Sequence, residues 1–593
     1  MLEHARLDSS TVEVSFNGTP VHAGPAHLFP EDGLLLTASS IGRHEITVLC
    51  GGESRTQHIR VLHGLLSVLP PIIAILFALI FKQVVVALLA GVWLGSFFIS
   101  GYHPVTALLR VVDHLCIETL AGSDGGTDHT SIIIFTLLLG GMVGITSRMG
   151  GMKGIVNSVS RIATTARRGQ FAVWLMGVII FFDDYTNTLI VGNSTRPLTD
   201  RLRISREKLS YIVDSTAAPI TSLAVITSWI GFEISLINQS FTSLGIERNP
   251  LTTFVASLPY SFYPILAVLF VLLIIVSGRD YSLMLAAELR ARRTGKVLSD
   301  TAVPISNIDA ESVSIAEGAQ PRLLNGVIPI AVVIAVSFAG LILTGRQALA
   351  ESGAGTGNLL DALKESNSFT ALLWGSLSGC VIAAVLALTQ GLLSLTETVT
   401  SWMNGIRSMV TAIIILVLAW CIGMVCTELH TADYLVHHLA GVLSPQFLPL
   451  VVFLIAMGIS FSTGTSWGTM SILTPIVIPL VLGTTRAAGI APAAGDPILL
   501  GSIAAILSGA VFGDHCSPIS DTTIMSSMAS AADHVDHVRT QLPYAVTVGA
   551  VSLVCGYLLR AAGIPAWACL ALSCVVLMAI IRLAGKPVEA REP

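Results

Sequence analysis

The sequence predicts a polytopic α-helical membrane protein of about 11–13 transmembrane segments. These fall in two related halves with broken helices and a re-entrant hairpin, behind a small N-terminal β-sandwich-like cap. Three observations predict this class. Of 593 residues, 53% are hydrophobic and only 12% are charged, about half the charged share of a soluble domain. From Val61 onward apolar runs recur, each near the roughly 20 residues that a helix needs to cross a bilayer core. Two of those runs carry the same interruption, an aspartate followed a few residues later by Pro-Ile-Ser/Thr.

The same composition excludes other classes. The net charge of −5 is small and no basic patch is interleaved with aromatics, so no nucleic-acid partner is expected. The nine cysteines form no CxxC pair and mostly lie inside apolar runs, as small fillers do rather than metal ligands or disulfides. No cofactor is expected. The first ten residues, MLEHARLDSS, lack the apolar core of a cleavable signal peptide. The apolar run near Val61 is therefore expected to direct insertion.

Residues 1–61 read as the cap. TVEVSFNGTP alternates polar and apolar residues, as a half-buried strand does. GLLLTASS, HEITVLC and TQHIRVL read as further strands between Gly, Asn and Pro turns, in an Ig-like spacing. Residues 62–278 form the first transmembrane half, with apolar segments at 64–81, 84–101, 131–147, 171–192, 210–236 and 255–277. Residues 279–322 are a polar connector that opens with the charged amphipathic helix RDYSLMLAAELRARRTGK. Residues 323–584 form the second half, with segments at 323–344, 369–390, 408–427, 447–482 (more than one element), 498–529, 543–560 and 564–583. A polar stretch at 345–366 interrupts them, and 585–593 is a tail.

Lys and Arg cluster at 161–168, 196–208 and 278–296. Such loops are normally cytoplasmic. The first two clusters flank one apolar segment, 171–192, and a single crossing cannot put both ends on one side. A re-entrant hairpin can, with the polar string of that segment at its tip.

The two halves repeat a pattern. YIVDSTAAPITSLAV holds Asp214 and Pro219, and VFGDHCSPISDTTIM holds Asp514 and Pro518. Each follows another polar break, FFDDYTNTLIVGN (Asp183 to Asn193) in the first half and GISFSTGTSWGTM (Gly458 to Met470) in the second. Paired, Gly/Pro-interrupted apolar segments point to a transporter's binding site. Irregular backbone survives at membrane depth only inside protein or around a cavity. Prolines that merely kinked their helices would leave the aspartate before each kink unexplained.

Asp183 and Asp184 lie mid-segment, where a carboxylate costs several kcal/mol unless it is paired, protonated or bound to a cation. Two close carboxylates titrate as a coupled pair. A group that takes either a proton or Na⁺ couples the two fluxes by competition. Thr186, Asn187, Thr188 and Asn193 supply neutral oxygens nearby, and Ser462, Thr463, Thr465, Ser466 and Thr469 do so in the second half. Taken singly, each hydroxyl is as well explained by back-bonding to its own helix. Asp214 with Ser215, Asp514 with Ser517, and Asp521 complete the candidate set. His515, beside Asp514, is placed to report pH, to relay protons, or only to hydrogen-bond locally. Glu233 and Trp229 lie further along the first motif's helix, with Glu233 expected at the membrane interface. His437 and His438 read as loop residues. The spans hold almost no central Lys or Arg, so the site is acid-rich and points to a cationic cargo. The leading reading is Na⁺ held by Asp183, Asp184, Asp214 and Asp514 with Ser/Thr oxygens.

At these residues the sequence resembles the NhaC family of sodium/proton antiporters, within the wider ion-transporter superfamily. The resemblance rests on FFDDYTNTLIVGNSTRPLTDRLRISREKLSYIVDSTAAPI, FSTGTSWGTM and FGDHCSPISDTT. It spans the membrane region from about residue 62 to 584 and leaves out the β segment. It implies inverted repeats, each with a hairpin and a broken helix. It also implies alternating access by a mobile domain against a scaffold that dimerises, in the cell (inner) membrane. The cargo it implies is Na⁺ (or Li⁺) and H⁺, and the protein is expected not to be an enzyme. The family is similar in pattern to organic-acid exchangers such as malate/lactate antiporters. A Na⁺- or H⁺-coupled carrier of an amino acid, amine or carboxylate is therefore the second reading. An intramembrane hydrolase is a remote third, because the Asp-bearing segments lack a GxGD string.

Overall fold

A computed structural model describes residues 11–17, 19–25, 42–50, 53–81, 83–121, 126–160, 163–304, 316, 320–351, 358–439 and 444–588. The chain divides into two compact units, Met1–Leu69 and Pro70–Pro593.

The first unit holds strands β1 (Thr11–Phe16), β2 (Thr19–Pro25), β3 (Gly42–Cys50) and β4 (Glu53–Val61). They form one antiparallel sheet in the order β2-β1-β3-β4. Alternation puts Val14 of β1 on the buried face, paired with Val48 of β3. Among the described residues there is one layer, not the two of a sandwich. The strand expected across GLLLTASS lies outside the described residues.

The rest of the chain is helical among the described residues, apart from a two-residue ladder between β5 (Arg279–Asp280) and β6 (Lys586–Pro587). The first stretch runs through α1 (Leu65–Phe81), α2 (Val84–Ile99), α3 (Pro104–Arg110), α4 (Ile117–Ala121), α5 (Gly126–Arg148) and α6 (Gly151–Ser160). Short helices follow at the polar breaks: α7 (Ala166–Ile179), α8 (Asp184–Arg201), α9 (Arg206–Ser215), α10 (Ala218–Thr221), α11 (Ile230–Ser243) and α12 (Pro250–Ser257). Then come α13 (Phe262–Ser277) and the connector helix α14 (Ser282–Thr294). The second half contains α15 (Leu323–Glu351), α16 (Leu359–Lys364), α17 (Ser368–Thr389), α18 (Leu395–Glu428), α19 (Thr431–Leu439), α20 (Leu448–Thr463) and α21 (Ser466–Ala487). It closes with α22 (Pro492–Cys516), α23 (Asp521–Ser530), α24 (His534–Val551), α25 (Leu559–Ala561) and α26 (Ala566–Ala584).

Among the described residues, nine helices are long and apolar enough to cross a membrane. The number is eleven if two bent pairs each count as one span, Val85–Ile99 with Pro104–Ala121 (119°) and Pro250–Tyr260 with Phe262–Ser277 (51°). The expected elements 171–192 and 210–236 are interrupted. Their polar residues become N-caps and half-helix ends, because a side-chain oxygen there satisfies backbone N–H groups that a helix start leaves open. Thr165, Asp183 and Ser205 cap α7, α8 and α9 in this way.

Helices α5 and α18 cross with glycine against glycine. A Cβ on Gly140 would sit 2.8 Å from the Gly405 carbonyl oxygen, the close approach that small residues permit between membrane helices. On the outer faces of α15, α17 and α26, Phe338, Leu343, Leu377, Val381, Val575 and Leu583 stay exposed and meet lipid rather than water.

The three basic stretches gather at one end. The Arg206 N–H donates to the Val297 carbonyl (3.0 Å), and Arg290 pairs with Glu207 (2.9 Å). Arg292 Nη1 donates to the Leu202 carbonyl (3.5 Å), and the Arg167 guanidinium lies against Gly278. Both ends of 171–192 therefore lie on one side, as the hairpin reading requires. Beneath it, Lys208 of α9 and Asp280 form a fully buried ion pair (2.5 Å), and Tyr544 of α24 donates to the same carboxylate oxygen (2.6 Å).

Candidate functional site

Two breaks and two Asp-Pro motifs build the site. At the first break, α7 ends at Ile179 and α8 begins at Asp184. Asp183 is the N-cap of α8, its Oδ1 accepting the Thr186 N–H at 2.7 Å. Asp184 follows in the first turn, 3% exposed. Asn187 clasps the break. Its Nδ2 donates to the carbonyls of Gly177 (2.8 Å), Ile180 (3.0 Å) and Thr216 (2.8 Å), while its Oδ1 has no partner. Thr188 Oγ1 is buried without a partner as well. Asn193 Nδ2 donates to the Leu189 carbonyl of its own helix (2.9 Å).

The second break repeats this plan. Helix α20 ends at Thr463, and Gly464 turns the chain with φ +69°. Thr465 is the N-cap of α21 and Ser466 its first residue. Ser466 Oγ donates to Asp514 Oδ2 at 3.3 Å. The rest of the string turns inward on itself. Ser462 is exposed and donates to the Gly458 carbonyl (2.8 Å). Thr463 donates to Ile459 (2.8 Å) and Thr469 to Thr465 (2.9 Å). For these three the back-bonding explanation holds, because a helical hydroxyl reaches the carbonyl one turn behind it more readily than a group across the site.

The motifs then interlock. Helix α11, which follows the first Asp-Pro motif, packs on α21 of the second break. Helix α23, which follows the second motif, packs on α8 of the first. Asp514 thereby sits between hydroxyls: Ser520 Oγ donates to its Oδ1 at 2.6 Å, Ser466 to its Oδ2, and Thr523 Oγ1 to its carbonyl at 3.0 Å. Asp183 and Asp514 both lie near Asp184. Asp183 also lines a cavity of about 570 Å³ together with Tyr185, Thr186, Ser147, Ser401 and Asn404.

Asp214 belongs to a neighbouring cluster. Its Oδ2 accepts Gln541 Nε2 (2.6 Å) and lies 3.4 Å from His537 Nε2, and its Oδ1 has no partner among the described residues. Gln541 also donates to the His515 carbonyl. The His515 ring bridges Ser215 Oγ (2.9 Å) and the Tyr263 hydroxyl (2.7 Å). Ser517 Oγ is buried and accepts the Ile519 N–H (3.4 Å). Asp521 starts α23, and its side chain lies outside the described residues.

The structure thus brings Asp183, Asp184, Ser466 and Asp514 together and sets Asp214 with His515. Five participants escaped the sequence reading: Ser520, Thr523, Tyr263, His537 and Gln541. The last two sit four apart, on one face of α24, just before the apolar run that begins at 543. That spacing was the available signal. Glu233 was expected at the interface; it is 2% exposed, with neither carboxylate oxygen hydrogen-bonded. His437 and His438 lie on α19 rather than in a loop.

Buried acids between two interlocked broken segments define a secondary transporter. The chain belongs to the Na⁺/H⁺ antiporter family, whose sequence model matches residues 220–559. It is 32% identical over 521 residues to an uncharacterized protein of Haemophilus influenzae, covering 87% of this chain and 95% of that one. It is 41% identical over 99 residues to the malate-2H⁺/Na⁺-lactate antiporter of Bacillus subtilis, covering 16% of this chain and 19% of that one. Among solved structures, the fold is similar to the YdaH transporter of Alcanivorax borkumensis, with a TM-score of 0.51 at 15% identity over 88% of this chain and 100% of that one. The protein is a multi-pass membrane antiporter and not an enzyme.

Proposed function

We propose that this antiporter exchanges Na⁺ (or Li⁺) for H⁺ by alternating access, with Asp183, Asp184 and Asp514 as the shared acids. The observation that carries the reading is the Asp184–Asp514 neighbourhood. Asp184 of the first half lies near Asp514 of the second there, both buried, and Ser466 and Ser520 place hydroxyl oxygens on Asp514. A hard cation prefers such oxygen ligands. Carboxylates this close cannot all stay ionised in a buried site without a cation or a proton. Na⁺ and H⁺ therefore exclude one another at the same groups. Asp183, on the cavity wall, meets the ion first, and Asp184 next to it is the sealed position.

The second reading is Na⁺- or H⁺-coupled exchange of an organic solute. The cavity favours it, because about 570 Å³ falls in the size range of small-molecule sites. Proteoliposomes with a trapped pH dye separate the two. Na⁺, Li⁺, K⁺ and a panel of organic solutes are added in turn, with Asp184→Asn and Asp514→Asn beside wild type. Collapse of a preset pH gradient by Na⁺ alone, lost in both variants, supports cation exchange. Collapse by one organic solute alone assigns the cargo to that solute.

A further inference from the structure

We propose that Glu233 is a second proton-binding site of the exchanger, apart from the acids at the two breaks. The proposal rests on the Na⁺/H⁺ reading above. Glu233 lies one turn into α11 and is 2% exposed, and among the described residues neither of its carboxylate oxygens has a hydrogen-bond partner. An ionised carboxylate is not stable in such a place without a counter-charge. The helices packed on α11 are α5, α12, α18 and α21. Among their described side chains, the titratable groups are His129 and Arg148 on α5 and Arg486 on α21. Helix α18 adds Glu397, Arg407, Cys421, Cys426 and Glu428, and α12 has none. None of them hydrogen-bonds Glu233.

The choice between the two cations follows from the groups that reach each acid. Na⁺ needs several oxygens around it, and Asp514 has them in Ser466 and Ser520. Neither Glu233 oxygen accepts a hydrogen bond from a described residue, and the neighbouring side chains of its first turn, Trp229 and Phe232, pack on Trp467 with ring centroids 5.7 and 4.3 Å away. A proton needs one oxygen only, so a carboxylate that no described hydroxyl reaches, on a turn packed against aromatic rings, suits H⁺ better than Na⁺.

The location gives the proton leverage over both breaks. The Ser228 N–H donates to the Phe182 carbonyl (2.8 Å), next to Asp183. Trp467, on which α11 rests, is next to Ser466, the donor to Asp514. The Glu233 N–H in turn donates to the Trp229 carbonyl (3.0 Å). Protonation of Glu233 therefore acts on a turn that touches both halves of the cation site.

The test uses full-length protein in proteoliposomes. The H⁺/Na⁺ ratio is read from the opposing gradients at which flux vanishes, and Na⁺ binding is read separately. Glu233→Gln is expected to bind Na⁺ as wild type does and to move one proton fewer per Na⁺. An unchanged ratio, or loss of Na⁺ binding, overturns the proposal. A second measurement is independent of transport. A hydrophobic carbodiimide, which attacks protonated carboxyls, is expected to label Glu233 in wild type. Labelling should fall about tenfold per pH unit above the group's midpoint, as the protonated fraction does. Labelling that is absent or indifferent to pH overturns it. If wild type shows no Na⁺-driven proton flux while labelling titrates, the Na⁺/H⁺ reading fails and the proton site stands.

Discussion

Ser215 Oγ and His515 Nε2 lie 2.9 Å apart, so the residues that follow Asp214 and Asp514 touch across the two halves of the molecule. The contact joins the two Asp-Pro motifs directly. It also fixes the His515 ring, whose other nitrogen meets the Tyr263 hydroxyl at 2.7 Å. Ser215→Ala leaves a buried ring nitrogen without its partner. The expected loss is about 1–3 kcal/mol of stability, read as a lower midpoint in detergent melting, with exchange slowed but not abolished.

Ser520 gives Asp514 a hydrogen bond of 2.6 Å, and Ser466 a longer one at 3.3 Å. A hydrogen bond to a charged group contributes about 1.5–3 kcal/mol, and about 1.4 kcal/mol is tenfold in affinity. Ser520→Ala is expected to raise the Na⁺ concentration for half-maximal flux by about tenfold or more, and Ser466→Ala by less. Concentration series of both variants in the same vesicles check the order.

Asp183 caps α8 and also faces the cavity. The two roles separate by substitution. Asparagine caps a helix as well as aspartate does, whereas alanine costs about 1 kcal/mol. Asp183→Asn should melt like wild type and still lose Na⁺-driven flux. Asp183→Ala should lose both flux and stability.

Asn187 uses one amide nitrogen on three carbonyls, those of Gly177, Ile180 and Thr216. Asn187→Asp removes the donors and aims carboxylate oxygens at the carbonyls. The expected cost is about 3 kcal/mol or more, seen as poor yield of folded protein in size-exclusion chromatography. Thr186→Ala, one position earlier, keeps its backbone bond to Asp183 and serves as the control.

Lys208 and Asp280 are a buried pair 2.5 Å apart. Breaking it from one side, as Lys208→Met does, is expected to cost about 3–5 kcal/mol, because the other charge stays buried and unpaired. Lys208→Met with Asp280→Asn should recover most of that loss. Thermal melting of the two single variants and the double variant gives the coupling.

Much of this was legible along the chain. Long apolar runs can only be buried or lie in lipid, so the class followed from composition. The breaks at Asp183 and Thr465 were legible because a cap residue sits beside the backbone N–H it satisfies, a local relation. The same locality explains the hairpin, since Arg and Lys mark both flanks of 171–192.

What tertiary structure decided is which polar groups meet. Gln541 reaches Asp214 over more than 300 positions, and no spacing rule encodes such a pairing. Ser462 and Ser466 look alike in FSTGTSWGTM, but one donates back to its own helix while the other reaches Asp514, because they lie on opposite sides of the turn at Gly464. Glu233 looks like an interfacial acid until α5, α12, α18 and α21 close around α11. Sequence by itself determined that acids would lie in the membrane and where the helices would break. Only packing determined which acids share hydroxyls and which one is left alone, because burial is a property of neighbours that are distant in the chain.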